Sequence, residues 1–173
     1  NMAKELELSA VLAKDAIRNC ISSVAQGEDR RNGDTLRSCY WSDATIDFGV
    51  FAGSFDDYLG WCVPCSPEIP VTQHFLGQSN IQIDSDSKAR AETYVMSYHR
   101  VKAGEEERNT AMGARYLDHL EKRDGDWRIS ARVMIYDWDH DWGIAADWSK
   151  GLMGMPFAAD HYNGRGQGDF NER

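Results

Sequence analysis

The sequence predicts an α+β fold, with helices first and an antiparallel sheet after them. Apolar residues before Gly27 recur at helical spacing. After Pro70 the pattern changes to the two-residue period of strands. Asp124-Gly125, set between two strand-like runs, is a strong hairpin turn signal.

Each element follows from local chemistry. Leu8, Val11, Leu12, Ile17, Ile21, Val24 and Ala25 form one apolar stripe, with Lys14, Asp15 and Arg18 outside it. Ser9 suits a cap for the second part of this stretch, and Gly27 suits its end. The Asn32-Gly33 turn signal introduces a short helix over 34–39 with Asp34 as its cap. A third helix spans 54–61, where Ser54 caps and Asp57 completes a capping-box-like pair. Pro64, Pro67 and Pro70 end it.

The strands follow. Residues 71–83 are β-branched and apolar and break at Asp84-Ser85-Asp86. Residues 89–101 alternate, with Ala91, Thr93, Val95, Ser97 and His99 on one face and Glu92, Tyr94, Met96, Tyr98 and Arg100 on the other. Neither face is purely polar, so both are expected to be covered. Residues 103–109 read as a charged connector, 110–122 as a strand, and 127–138 as the strand returning from the hairpin. Residues 1–140 make one domain. Residues 141–173 are a Trp- and Gly-rich extension whose apolar part is expected over the pocket mouth or on a neighbouring subunit, with 165–173 fraying.

Composition narrows the function classes. The chain has 173 residues, 19 Lys plus Arg against 28 Asp plus Glu, and a net charge of −9. That acidity argues against nucleic-acid binding, which needs a basic face. No apolar run reaches the roughly 18 residues of a membrane helix, and the opening NMAKELELSAV has no signal-peptide pattern, so a cytoplasmic location is expected. Cys62-Val-Pro-Cys65 has the redox CxxC spacing, yet it precedes Ser66-Pro67 and Pro70, which is loop chemistry rather than a helix start. Zinc would need two further ligands at matching spacing, and no second such motif exists. Cys20, Cys39, Cys62 and Cys65 are read as partly buried thiols in a reducing compartment, with no metal.

The succession of helices and strands, with TQHFLG, AETYVMSYHR and ARYLDHLEKRDGDWRISARVMIYDW, resembles the SnoaL-like branch of the nuclear-transport-factor-2-like superfamily over about residues 10–140. The resemblance implies a cone-shaped, mostly antiparallel sheet packed on the N-terminal helices, and a homotrimer. It also implies a catalytic set like that of the dehydratases and dehydrochlorinases of that branch. Asp29 in GEDRR fits the family aspartate at the end of the first helix, and His74 in TQHFLG fits the family histidine on an early strand. Arg132 in RISARV falls at the pocket arginine, and His99 in SYHR at a second pocket histidine. Val24 stands where dehydrochlorinases carry a lysine.

The residue types suit that chemistry. Imidazole titrates near neutrality and serves as a general base once a carboxylate fixes its tautomer and ring angle. Asp29 would do this for His74. Arg132 would stabilise developing negative charge, and His99, Tyr94 or Tyr98 would protonate a leaving hydroxyl. Tyr40, Trp41, Tyr94, Tyr98 and Tyr136 are the candidate substrate-binding aromatics. No phosphate loop or dinucleotide fingerprint is present, and this reaction class needs no cofactor. The expected function is a lyase that eliminates water, halide or a carbonyl fragment from an apolar aromatic or polycyclic small molecule. The alternatives are a non-catalytic binder on the same cone and, by resemblance, a small subunit of a ring-hydroxylating dioxygenase.

Overall fold

A computed structural model describes residues 2–64, 66–158 and 161. Cys65, the second thiol of the CxxC spacing, and residues 165–173 lie outside them. The element order is α1 (Met2–Arg30), α2 (Gly33–Cys39), β1 (Tyr40–Asp47), β2 (Ala52–Ser54), α3 (Phe55–Cys62), β3 (Val71–Ser85), β4 (Lys88–Ala103), β5 (Glu106–Arg123) and β6 (Asp126–Ile144). One 3-10 turn, Trp148–Lys150, follows. The fold is α+β, as expected: three helices cover one face of a curved, unclosed sheet with strand order β2-β1-β6-β5-β4-β3. All neighbours pair antiparallel except β1 and β6, which run parallel. No described helix is long and apolar enough to cross a membrane.

The local chemistry departs from expectation at several points. α1 is continuous, so Ser9 lies inside it and caps nothing. Its stripe is buried only from Ile17 onward, and Leu8, Val11 and Leu12 remain exposed. Gly27 does not end the helix. A Cβ there would stand 2.9 Å from Leu36 Cδ2, so this glycine lets α2 pack closely on α1. Asn32, rather than Asp34, caps α2, its side chain accepting from the backbone N–H groups of Asp34 and Thr35. Ser54 and Asp57 form the full capping box that starts α3.

Two strands were not expected. β1 follows α2 with no intervening turn residue, and buries Ala44 and Ile46 against the helices. The supposed connector over 103–109 shrinks to a tight turn at Gly104 (φ 68°), because Lys102 pairs with Glu107 and Ala103 with Glu106. Arg100 binds Glu107, and Arg108 reaches both Asp141 and Glu106. β6 runs on past residue 140 to Ile144.

The core lies between the helices and the inner sheet face. It holds Ile17, Ile21, Val24, Leu36, Leu120 and Ile129, all nearly or fully buried. Each such side chain contributes roughly 1.5–3 kcal/mol. The outer face stays partly uncovered, with Phe75, Tyr94, Met96 and Trp138 exposed. Trp138 lies flat over Gly113, where a Cβ would approach its indole nitrogen to 2.0 Å. Gly113→Ala is therefore expected to lower stability by about 1–3 kcal/mol in urea unfolding. Most of that loss should vanish in a Trp138→Ala background, because the clash needs both partners.

Candidate active site

The end of α1 builds the site. Arg31 adopts a left-handed backbone (φ 55°), and its N–H donates to the Glu28 carbonyl while the Asn32 N–H donates to the Gly27 carbonyl. These two bonds close the helix in a position that usually takes glycine. They hold the last turn against β3, with Glu28, Asp29 and Arg31 on it.

Asp29 receives three donors from β3. The Thr72 hydroxyl reaches Oδ1 at 3.2 Å, the His74 backbone N–H reaches Oδ2 at 3.0 Å, and His74 Nδ1 lies 2.6 Å from Oδ1. A carboxylate only accepts, so Nδ1 carries the proton in this pair and the ring angle is set. Glu28 is 5% exposed and approaches the other side of the ring, with Oε2 at 3.5 Å from His74 Nε2. The Tyr58 hydroxyl donates to Glu28 Oε1 at 2.5 Å.

Burial alone would push His74 down, but the Asp29 hydrogen bond and the Glu28 and Asp29 charges outweigh it and raise it above 6.5. His99 lies edge-on to His74 with ring centroids 6.2 Å apart. Burial, then the charges of His74 and Arg31, press His99 down to about 4. Its Nδ1 is buried without a hydrogen-bond partner, as are Ser97 Oγ and the Nε and one terminal nitrogen of Arg31.

These groups share a cavity of about 580 Å³. Glu28, Arg31, Thr72, His74, Ser97 and His99 are among its polar lining. Register explains the cluster, since Thr72 pairs with His99 and His74 with Ser97 across β3 and β4. Phe48, Trp61, Met112, Tyr116, Met134 and Tyr136 supply the apolar wall. Among the described residues, none after Tyr136 lines the cavity. Among the described residues no group of three or more His, Cys, Asp or Glu side chains could hold a metal ion.

The structure thus brings His74, His99 and Tyr136 to the cavity, with Asp29 bonded to His74 rather than lining it, and corrects the other placements. Arg132 is 1% exposed behind the wall, bound through Nε and a terminal nitrogen to Asp118 at 2.7 and 2.8 Å. It stacks over Tyr116 at 3.9 Å, so its hydrogen-bonding fork is engaged away from substrate space. Tyr40 is a core ring stacked on Phe55. The guanidinium groups of Arg123 and Arg128 both lie over the Trp41 ring. Tyr94 and Tyr98 sit on the outer face, Tyr98 donating to Asn109 and stacking on Trp142. The alternation of β4 makes this unavoidable, since a strand that points His99 and Ser97 inward points Tyr94 and Tyr98 outward.

Sequence reasoning missed Glu28, Arg31, Tyr58 and Ser97. Glu28 had a visible signal, because it extends the buried series Ile17, Ile21, Val24 by one further helical step. A carboxylate on an apolar stripe is a functional candidate.

The model of the SnoaL-like domain matches residues 9–133, most of the chain. The chain belongs to the SnoaL-like domain family. Solved structures agree on the fold of this SnoaL-like protein. A hexachlorocyclohexane dehydrochlorinase, LinA type 2, superposes with a TM-score of 0.70 at 21% identity, covering 88% of this chain and 97% of the other. LinA type 3 from Novosphingobium barchaimii gives 0.70 at 20%, covering 88% and 98%. A scytalone dehydratase-like protein from Novosphingobium aromaticivorans gives 0.67 at 17%, covering 80% and 93%. No curated protein matches the sequence.

Two measurements check the geometry. Arg132→Met should cost about 3–5 kcal/mol in urea unfolding, because Asp118 is left buried and unpaired, and adding Asp118→Leu should recover much of it. The histidines should give opposite pH dependences. The raised His74 value stabilises the fold fully below 6.5, and that contribution fades as pH rises through the folded value. The lowered His99 value costs stability as pH falls from 6.5 towards about 4, where the unfolded chain binds the proton first. Unfolding of His74→Gln from pH 6.5 upward, and of His99→Gln between about pH 4 and 6.5, should show each dependence disappearing with its ring.

Proposed function

We propose that this SnoaL-like protein is a cofactor-independent lyase acting on an apolar, aromatic or polycyclic small molecule, from which it eliminates water, halide or a carbonyl fragment. The observation that carries the reading is the Asp29–His74 pair at the cavity, with Nδ1 held at 2.6 Å and Nε2 left for proton transfer. His74 moves the proton and Asp29 is its positioning residue. The role of cationic donor, expected of Arg132, passes to Arg31, whose buried nitrogens lack partners beside the two histidines. That guanidinium would stabilise negative charge on an enolate or leaving oxygen. The apolar wall supports an aromatic substrate, and the dehydrochlorinase among the structural neighbours supports elimination chemistry. A cytoplasmic homotrimer with subunits meeting on the outer sheet face accords with the exposed Phe75, Tyr94, Met96 and Trp138.

With a substrate identified from a panel of apolar β-hydroxy carbonyl compounds, His74→Ala and Asp29→Asn should each cut turnover by at least about 10², with circular dichroism unchanged. Full activity in His74→Ala would remove the reading. A tightly bound ligand recovered unchanged from wild-type protein after long incubation would favour a binding domain, which the same half-apolar cavity could also serve.

A further inference from the structure

Glu28 stands apart from the Asp29–His74 pair and changes what that pair can do. It is the second carboxylate on one imidazole. Asp29 occupies Nδ1, and Glu28 Oε2 faces Nε2 at 3.5 Å. A neutral ring with its proton on Nδ1 would aim the Nε2 lone pair at a carboxylate, so the arrangement is electrostatically sound only when Nε2 also carries a proton. The same charges raise the His74 value. The remaining ionisable neighbours are Arg31 and His99, both of which oppose or ignore that proton, and the two carboxylates prevail. Among the described residues no Lys or Arg pairs with Glu28. The Tyr58 hydroxyl orients it through Oε1, and burial raises the phenol so that it stays a donor. Oε2 thus faces the ring, and Glu28 lines the cavity beside it.

We propose that Glu28 and His74 divide the acid–base work of a dehydration, Glu28 Oε2 taking a proton from carbon and His74 Nε2 delivering one to the departing hydroxyl. The substrate class is an apolar alcohol whose hydroxyl lies β to an activating carbonyl. This rests on the elimination reading above and specifies its leaving group. In the step, the C–H bond breaks to Glu28 and its electron pair forms the C=C bond. The C–O bond breaks with its pair on oxygen, which takes the Nε2 proton and leaves as water. Glu28 is then protonated and His74 neutral. Transfer of that proton from Oε2 to Nε2 across the 3.5 Å gap restores both groups, so no outside acid or base is consumed.

The test uses the full chain and two probes that both yield chalcone, followed by its near-ultraviolet absorbance. One is the aldol of acetophenone and benzaldehyde, a β-hydroxy ketone. The other is the β-chloro ketone with the same carbon frame, whose leaving group needs no proton. Glu28→Gln should slow both by about 10². His74→Gln should slow the alcohol by about 10² while the chloride loses less than about tenfold. Nitrogen NMR of wild-type protein at about pH 7 should show Nε2 of His74 protonated, and Glu28→Gln should release that proton at lower pH. Glu28→Gln that keeps the chloride rate, or a neutral Nε2 in the wild type, overturns the division of labour while leaving His74 as a simple base. Wild-type protein inert toward both ketones, with Nε2 protonated, overturns the elimination reading and the proposal together.

Discussion

The Asp29 carboxylate is the joint on which the rest of the site hangs. One side chain at the end of α1 accepts from a hydroxyl, a backbone N–H and a ring nitrogen, all within Thr72–His74 of β3. Charge-assisted bonds of this kind are stronger than neutral ones, and three of them fix both the approach of the helix to the sheet and the plane of the imidazole. Ser97 and His99 join the cluster through the register of β4 with β3. Glu28 precedes Asp29 by one residue, which on a helix is a rotation of about 100°, so the two carboxylates reach the ring from different sides. Arg31 follows by less than a turn and reaches the same space.

A second buried charge pair works behind the first. Arg132 and Asp118 are closed upon each other, and the arginine supports Tyr116 from the rear while that ring faces the cavity. The two charge clusters therefore have different work. One is saturated and props up an aromatic wall. The other retains unpartnered nitrogens of Arg31 and His99 and the Ser97 hydroxyl at the cavity. A buried polar group that lacks a partner is costly, and such groups gathered in one cavity point to a guest that supplies the missing bonds.

How much of this was legible in the sequence depended on how local the cause was. The capping box at Ser54 and Asp57, the hairpin at Asp124-Gly125 and the period change after Pro70 are short-range effects, and they appear where the residues suggest. The family motifs located Asp29 and His74, which the structure brings into contact. β1 was hidden because it starts at Tyr40 directly after a helix, without a glycine or proline to punctuate it. Arg132 misled because sequence carries no sign of its partner, and only the cross-strand register of Asp118 with Arg132 reveals that its charge is already spent. The aromatics misled for a geometric reason, since residues of both parities along β4 cannot share one face. Glu28 was legible in principle, a charged residue on a stripe that is otherwise apolar.

Arg31 carries a further consequence. Its left-handed backbone suits glycine better than any residue with a Cβ, and the chain spends that strain to set a guanidinium beside two histidines. Stability and function therefore pull this position in opposite directions. A sequence selected only for thermal resistance would drift to glycine here and acquire a sturdier helix end with an emptied cavity rim. Retention of arginine among descendants of this chain would thus be a signature of selection for the ligand, readable without knowing what the ligand is.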